Sequence, residues 1–424
     1  MTHRESLHKA AGNGLIHRRH LLGLGLGGLG VAAAGQVLGA DQAMAFELPA
    51  WSRRPGPGPS RYGQRSPHTD HIGRLAGDPN PLYPGGGASR SPLHLLQGTI
   101  TPNSLHFERH HAGVPAIDPA GHRLVINGMV RQPLAFSYED LLAYPMVSRI
   151  HFLECSGNSG TLLGASPVDG TAQSIHGLVS GAEWTGIRLA DLLAEAGVLE
   201  GASWVSAVGA DGASMGRSIP LTKILDDVLV ALYQNGEPLR PEQGYPMRLF
   251  VPGWEGNTSV KWLTHLKLGT APSQFRDETS KYTDTLPDRS SLQFTFPMGC
   301  KSVITSPSGQ MALVRRGLYQ VTGIAWSGAG TIRRVEVSAD GGASWADALL
   351  ESHQSEKALT RFRIPWDWQG QDAILLSRAI DDRGNVQPDR NTILAERGNL
   401  STYHYHGMQS WAVGTDGNVR NVYV

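Results

Sequence analysis

The sequence Phe152-Leu-Glu-Cys155-Ser-Gly-Asn158 joins an apolar, strand-like run to a cysteine and then to a Ser-Gly-Asn turn. A thiolate at the end of a strand can point into a cleft, and soft thiolate sulfur suits a transition metal. Taken alone, the stretch favours an inert buried cysteine or half of a disulfide over a metal ligand. The chain has one other cysteine, Cys300, which is either the partner in that disulfide or a lone buried thiol.

Cationic segments on both sides of this stretch make a ligand-binding role for Cys155 more favourable than an inert or disulfide-bonded cysteine. Residues 106–111 read His-Phe-Glu-Arg-His-His. They form either a solvated loop or a cradle for oxyanions, because guanidinium and imidazole groups donate hydrogen bonds to phosphate or sulfur oxygens. Residues 245–262 carry Arg248 and Lys261 among Gly and Pro residues, which let a backbone approach a ligand closely. Arg397 adds another cation, and together the segments predict an anion site.

The pattern of helix and strand signals along the chain predicts two folded domains. Over residues 95–297 helix and strand signals alternate, with Ser137 as one helix N-cap, and this indicates an α+β domain. Short strand patterns separated by turns dominate residues 298–424 and predict an immunoglobulin-like β-sandwich. Residues 46–94 are rich in Pro and Gly and are predicted to be an extended arm without a core of its own.

The N-terminus carries an export pattern. The pair Arg18-Arg19 is followed by a Gly-rich apolar run and then by Ala43-Met-Ala45, a small-x-small cleavage pattern. We therefore expect residues 1–45 to be a twin-arginine signal peptide that takes no part in the fold. The mature chain would be periplasmic and would keep no membrane span. Lys+Arg and Asp+Glu both number 37, so no basic excess indicates a nucleic-acid surface.

The order of these motifs resembles the sulfite oxidase family of mononuclear molybdenum enzymes, from about residue 95 to the C-terminus. The resemblance implies an oxidoreductase that binds Mo-molybdopterin in its α+β domain and forms a homodimer through its β-sandwich. The matching motifs are Phe-x-Arg-x-His at 107–111, Cys-x-Gly-Asn at 155–158, Gly-x-x-Trp-x-Gly at 181–186, Ser-Ile-Pro-Leu at 218–221, Val-Pro-Gly to Val-Lys-Trp at 251–262 and Asn-Val-Gln-Pro at 385–388.

The same resemblance implies roles for single residues. Cys155 is the protein ligand to molybdenum, and Arg109 faces both the cofactor and the substrate. Trp184 and Tyr282 lie in the substrate pocket. Arg397 is a second arginine that binds the substrate. The implied cofactor-binding residues are Phe107, Glu108, Arg109, His110, His111, Cys155, Asp211, Gln243, Arg248, Ser259, Val260 and Lys261.

Two positions depart from the family pattern. Gln243 stands where many members have a histidine among the pterin contacts, and since an amide also donates a hydrogen bond, we expect cofactor binding to survive. Gly160 lies five residues after the cysteine, where sulfite-oxidising members usually have an arginine that clamps the oxyanion. Loss of that arginine is expected to open room, and a Gly160→Arg variant is expected to bind sulfite more tightly.

These departures resemble most the branch of the family that oxidises sulfane sulfur. That branch implies a substrate held on a cysteine of a sulfur-carrier protein, and electrons that leave to a c-type cytochrome subunit. The chain itself has no Cys-x-x-Cys-His haem motif. A periplasmic sulfite dehydrogenase is the alternative enzyme, and a metal-free exported binding protein is the alternative of another class. His404 and His406 indicate either a metal site or, as we favour, surface packing near a partner.

Overall fold

The computed structural model describes residues 9–17, 49–78, 81–351 and 354–424. Residues 9–17 and 73–424 belong to one compact unit, and residues 49–72 belong to a second. The twin-arginine pair and the cleavage pattern lie outside the described residues. Within the described ranges, no helix has the length and apolar character needed to cross a membrane.

The described part of the second unit is mostly exposed. It contains two short 3-10 helices, Ala50–Arg53 and Pro67–Thr69. Arg65 forms an exposed ion pair with Asp70 at 3.2 Å and donates a hydrogen bond to the carbonyl of Ile72. No residue among 49 and 51–72 is buried.

Strands and short helices alternate through the first half of the larger unit. The strands are β1 (Leu75–Ala76), β2 (Gly87–Arg90), β3 (Glu108–His110), β4 (Leu124–Gly128), β5 (Leu134–Phe136), β6 (Val147–Glu154), β7 (Val179–Arg188), β8 (Trp204–Gly209), β9 (Gly216–Pro220), β10 (Leu229–Gln234), β11 (Glu237–Pro238), β12 (Arg248–Phe250), β13 (Leu263–Gly269), β14 (Asp284–Thr285) and β15 (Ser291–Leu292). The helices are α1 (Tyr138–Leu142), α2 (Ala172–His176), α3 (Leu189–Ala196), α4 (Leu221–Asp226) and α5 (Arg276–Ser280). Single 3-10 turns cover Asn103–Leu105, Gly160–Leu163, Pro241–Gln243 and Gly256–Thr258.

Local signals in the sequence account for the boundaries of two of these helices. Ser137 accepts a hydrogen bond from the Asp140 N–H while the Asp140 carboxylate accepts one from the Ser137 N–H, which is a capping box at the start of α1. Helix α3 buries one apolar face and ends at Gly197, whose φ of 70° needs a residue without a side chain. The predicted helix start at Ser137 is confirmed.

Two five-stranded sheets form the body of this half. One has the order β11-β10-β7-β6, with β12 also pairing β10, and the other has the order β5-β4-β13-β8-β9. Side chains from α3, such as Leu192, share one buried cluster with Val230 of the first sheet and Leu266 of the second. The α+β prediction is confirmed, and strand β6 runs directly into Cys155.

The end of the predicted arm is not free chain. Strands β1, β2 and β3 form a three-stranded sheet, in which Ala88 lies opposite Arg109. The prediction of an extended arm is therefore wrong for Leu75–Ala76 and Gly87–Arg90. Strand β2 pairs with β3, which carries the cationic segment, and β1 pairs with β2. The sequence alone did not reveal this long-range pairing.

The second half is a sandwich of two antiparallel sheets around a buried core that includes Val321, Val335 and Trp411. The sheet orders are β16-β17-β21-β20 and β19-β18-β22-β23-β24. This confirms the predicted β-sandwich. Its elements are β16 (Lys301–Ser306), β17 (Gly317–Trp326), β18 (Ile332–Ser338), β19 (Ala346–Asp347), β20 (Leu349–Leu350), β21 (Thr360–Trp368), β22 (Ala373–Asp381), helix α6 (Arg390–Arg397), β23 (Ser410–Val413) and β24 (Val419–Val422).

Residues 9–17 are packed on this sandwich. Leu15 is fully buried within the sandwich core, and its backbone forms a β-bridge with Trp366 of β21. The prediction that the first 45 residues take no part in the fold is therefore wrong for this segment of the unprocessed chain. An apolar side chain and a strand edge were available to it, which the sequence pattern did not indicate.

Candidate functional site

A cavity lies beside Cys155, at the end of β6. Most of the residues on its wall are among the predicted site residues. The lining residues are Phe107, Glu108, Arg109, His111, Leu153, Cys155, Met215, Glu242, Gln243, Arg248, Gly256, Asn257, Ser259, Val260, Lys261 and Tyr282.

Backbone hydrogen bonds hold Cys155 at the cavity wall. Its N–H donates to the Leu178 carbonyl at 3.0 Å, and its carbonyl accepts from the Asn158 N–H at 2.9 Å. Desolvation raises the pKa of the thiol, and the charge of Arg109 opposes this rise. Cys300 is a second free thiol, buried in the sandwich core. The disulfide alternative is therefore wrong, and the expectation of a lone buried thiol at Cys300 is confirmed.

Strand β3 brings the cationic segment to the cavity. The ammonium group of Lys261 donates to the Arg109 carbonyl at 3.1 Å and to His110 Nδ1 at 2.7 Å. The other ring nitrogen of His110, Nε2, lies 3.0 Å from the Glu108 carboxylate. Arg74 forms an ion pair with the same carboxylate. These contacts fix the strand from both sides, so the Arg109 side chain is presented by a rigid backbone.

Arg248 and Lys261 form a cationic pocket at the cavity wall, which also carries Glu108 and Glu242. Desolvation lowers the pKa of Arg248 to about 9. The pKa of Lys261 is held well below its ordinary value, first by desolvation and then by the charge of Arg248. Two buried cations that disfavour each other's charge are stabilised when an anion binds between them. The pocket therefore suits a phosphate, with the Gln243 side chain held beside it by a 2.9 Å hydrogen bond to the Phe107 carbonyl.

Tyr282 lies on the cavity wall together with His111. The Tyr282 hydroxyl and His111 Nε2 share a hydrogen bond of 2.9 Å. Desolvation lowers the pKa of His111 to about 4, and it raises the pKa of Tyr282 above its ordinary value. At neutral pH both side chains are thus uncharged. Arg217 lies under the Tyr282 ring at 5.1 Å from its centroid and supports it from the protein side.

Four predicted site residues do not reach the lining of this cavity as the described chain forms it. Trp184 is fully buried and stacks on Phe250 at 4.5 Å, behind Arg248 rather than facing the cavity. Arg397 forms an ion pair with Asp284 at 3.1 Å. The other two lie one contact behind the wall. They are His110, bonded to Lys261, and Asp211, whose carboxylate accepts from the N–H of the wall residue Met215.

Sequence reasoning missed five residues on the wall. Gly256 and Asn257 lie within the quoted block 251–262, so their signal was available. Asn257 donates to Ser156 Oγ at 3.1 Å, next to the cysteine. Leu153 lies in the quoted stretch 152–158, two residues before Cys155, so its signal was available as well. Met215 and Glu242 lie outside the motifs, because they reach the cavity only through the packing of separate strands and turns.

His404 is buried and does not lie at the surface. The His404 ring lies 3.3 Å from the Glu255 carboxylate, which also forms an ion pair with Arg217. The backbone N–H of His404 donates to the Ser156 carbonyl. The expectation of surface packing is therefore wrong for this residue. The segment that follows helix α6 turns inward and packs against the turn that holds Cys155.

The position of Gly160 is closed rather than open. A Cβ atom built there would lie 2.4 Å from the Thr402 carbonyl oxygen. Real Cβ contacts at that distance do not occur, so backbone would have to move. The expectation that loss of an arginine opens room beside the metal is wrong, because the chain around Thr402 fills that space.

We expect a Gly160→Ala variant to lose ~1–3 kcal/mol of stability, since the methyl group overlaps backbone that cannot rotate away. A Gly160→Arg variant would lose more stability than Gly160→Ala. It would not bind sulfite more tightly, so the expectation of tighter sulfite binding is withdrawn. Gly269→Ala is the matched control, because its Cβ would meet its nearest neighbour at 3.7 Å. Thermal unfolding of both alanine variants provides the measurement. Equal unfolding midpoints would contradict the prediction, because they would show that the backbone around Thr402 moves to admit a methyl group without loss of stability.

The residues present fit a molybdopterin cofactor. Arg248, on the cavity wall, has its Nε buried without a hydrogen-bond partner among the described residues, so a donor is left for a bound group. The described chain also has no group of three or more His, Cys, Asp or Glu side chains arranged to hold a metal. One thiolate beside an anion pocket suits a metal whose other ligands come from an organic cofactor.

Sequence comparison gives matches in both halves of the chain. Residues 111–276 match the family described as "Oxidoreductase molybdopterin binding domain", and residues 293–409 match "Mo-co oxidoreductase dimerisation domain". Sulfite oxidase of Gallus gallus is 34% identical over 363 residues, which are 77% of this chain and 78% of that protein. Mitochondrial sulfite oxidase of Mus musculus is 34% identical over 71% of this chain, and the match spans only 60% of the mouse protein.

A solved structure is similar over nearly the whole chain. The sulfane dehydrogenase SoxCD from Paracoccus pantotrophus contains a chain that is 42% identical, with a TM-score of 0.87. The match covers 91% of this chain and 100% of that one. With the Cys155 thiol, the cationic pocket and these matches in the same fold, the chain belongs to the sulfite oxidase family of molybdenum-cofactor oxidoreductases.

Proposed function

We propose that this chain is the molybdenum subunit of a periplasmic sulfane dehydrogenase. It would oxidise sulfane sulfur held on a cysteine of a carrier protein and pass the electrons to a c-type cytochrome subunit. The observation that carries the proposal is the closed position at Gly160, where the Thr402 carbonyl leaves no place for an oxyanion-clamping arginine in addition to Arg109. The 42% identity to a sulfane dehydrogenase chain over its full length supports the same substrate class.

The arrangement of the cavity suggests a role for each of its residues in the reaction. A bound molybdenum cofactor supplies the two-electron redox chemistry and the oxygen transfer. Each oxygen added to sulfur comes from water, with release of two protons and two electrons. Cys155 provides the thiolate ligand, and Arg248 and Lys261 bind the phosphate of the pterin. Arg109 stabilises the negative charge that develops on oxygen as sulfur is oxidised.

Tyr282 and His111 would orient the substrate rather than neutralise it. Because the hydroxyl of Tyr282 keeps its proton and the ring of His111 is neutral, the pair adds no charge at neutral pH. The 2.9 Å hydrogen bond between them fixes the hydroxyl at the wall. A preorganised hydrogen-bonding group costs little reorganisation when charge develops nearby.

Other features support the proposed location and partners. The twin-arginine pattern fits export of a protein that folds around its cofactor before it crosses the membrane. The match to a dimerisation domain supports a homodimer. The absence of a haem motif in this sequence, together with a matched chain from an assembly named SoxCD, supports a separate cytochrome subunit.

A periplasmic sulfite dehydrogenase is the second candidate. It is favoured by Arg109 at the cavity wall and by 34% identity to sulfite oxidases. A metal-free binding protein is opposed by the complete cavity, in which the thiol of Cys155 and the cations Arg248 and Lys261 are all retained.

Activity with two substrates separates the two enzymes. We expect the purified holoenzyme, with cytochrome c as acceptor, to oxidise a persulfide-loaded carrier more efficiently than free sulfite, by about ten- to a hundred-fold. That factor corresponds to one missing charge-assisted hydrogen bond to a dianion. The unloaded carrier is the control. Equal efficiency with both substrates would replace the sulfane proposal by the sulfite dehydrogenase.

A further inference from the structure

Residues 9–17 add a short strand to a free edge of β21. On that edge strand β20 pairs with Phe362 and Arg363, and the Glu351 N–H donates to the Arg361 carbonyl, so Trp366 lies beyond the part of the edge that residues 349–351 cover. The Ile16 N–H donates to the Pro365 carbonyl at 3.2 Å, and the Asp367 N–H donates to the Gly14 carbonyl at 2.9 Å. This is the hydrogen-bond pattern of an antiparallel bridge between Leu15 and Trp366, and it is how sheet edges bind extended peptides.

Asn13 makes the contacts at the tip of the segment. Its side-chain amide donates to the carbonyls of Ala339 at 2.8 Å and Asp372 at 3.1 Å. Its own carbonyl accepts from Trp366 Nε1 at 2.8 Å. These bonds tie the segment to both sheets of the sandwich, which a non-specific contact of a tail would not do.

Burial and close packing give the contact its selectivity. Leu15 is fully buried and Ile16 is 3% exposed. At Gly12 a Cβ would lie 2.1 Å from an Asp340 carboxylate oxygen, and at Gly14 it would lie 2.3 Å from the Asp367 carbonyl. At Gly14 the neighbour is backbone and φ is 96°, so the edge excludes a side chain there, whereas at Gly12 the neighbour is the end of the Asp340 side chain, which can shift.

We propose that the edge of β21 is a peptide-docking site whose occupant in the unprocessed chain is its own segment 9–17. The segment closes a strand edge that would otherwise present unpaired backbone groups and an apolar pocket. The docking rests on these contacts alone. Only its release rests on the proposed export, since cleavage after Ala45 would remove the segment and open the edge.

Hydrogen exchange of the full-length chain tests the docking. We expect backbone amides of residues 9–17 to exchange at least about tenfold more slowly than in a free peptide of the same sequence. Leu15→Asp and, separately, Asn13→Ala should each remove most of this protection. Lys9→Asp is the matched control, because the Lys9 side chain is exposed.

A binding experiment checks the site without relying on protection alone. A labelled peptide of residues 9–17 should bind the full-length Leu15→Asp or Asn13→Ala chain, whose edge is vacated, and should not bind the wild-type chain, whose edge is occupied. A Leu15→Asp peptide should bind at least about tenfold more weakly. Free-peptide exchange rates in the wild-type chain, or no binding of the peptide to either vacated variant, would overturn the proposal. Both readouts are independent of the substrate assay.

Discussion

Replacing Cys155 by serine is expected to lower turnover by at least about a thousandfold, equivalent to about 4 kcal/mol in the barrier, while molybdopterin stays bound. A hydroxyl is a poor substitute for a soft, anionic sulfur ligand. The cofactor would remain because the anion pocket is built from other elements. Arg248 and Lys261 are held by carbonyl groups of residues 242, 243 and 259 and by the β3 segment, and none of these contacts uses the thiol.

The measurements for this variant are turnover per bound molybdenum, pterin content after denaturation, and the number of sulfur ligands seen by X-ray absorption. Cys300→Ser is the matched control, since it makes the same change in a thiol that is buried in the sandwich core. Burying a hydroxyl there is expected to reduce stability by ~1–3 kcal/mol without changing turnover per cofactor. Wild-type turnover in the Cys155→Ser protein would remove the assignment of the metal ligand.

The second large effect is expected from Lys301→Met. Lys301 and Glu154 are each 1% exposed and form an ion pair at 3.1 Å. The Glu154 carboxylate also accepts from Trp326 Nε1 at 2.6 Å and from Asn158 Nδ2 at 2.9 Å. Lys301 further donates to Ser159 Oγ. The cluster thus joins the start of the sandwich to the residue just before the metal-binding cysteine.

Removing the cation leaves a buried carboxylate without a compensating charge. Breaking a buried ion pair in this way costs ~3–5 kcal/mol, or roughly 6–20 °C in the unfolding midpoint of a domain of 150–250 residues. The double variant Glu154→Gln, Lys301→Met is expected to recover part of this loss, because a neutral amide oxygen still accepts from Trp326 Nε1.

Lys357→Met provides the matched control for this prediction. Lys357 also forms an ion pair, with Asp227 at 2.7 Å, but the side chains are 13% and 22% exposed. Asp227 moreover keeps Lys223 as a partner. Partly exposed pairs contribute ~0–1 kcal/mol, so we expect a small shift. If Lys301→Met shifted the midpoint no more than the control, the cluster would not stabilise the contact between the halves of the chain.

The sequence by itself determined the fold class and the identity of the metal ligand candidate. The capping box at Ser137 and the apolar spacing of α3 are local signals, since each depends on residues within one or two helical turns. The ordered motifs also located most of the cavity wall, including Arg109, Gln243 and Lys261. Such motifs are readable because a ligand requires particular chemical groups at fixed spacing.

Only the tertiary structure decided which distant segments meet. Thr402 lies more than two hundred residues from Gly160, yet its carbonyl closes that position, and no local pattern encodes such a contact. The same applies to Arg397, which an ion pair with Asp284 holds away from the cavity wall, and to Leu15, which fills a pocket beside Trp366. Whether a charged or apolar side chain faces a ligand, a partner or the core depends on which chain segment packs beside it, because burial and pairing are properties of the assembled structure.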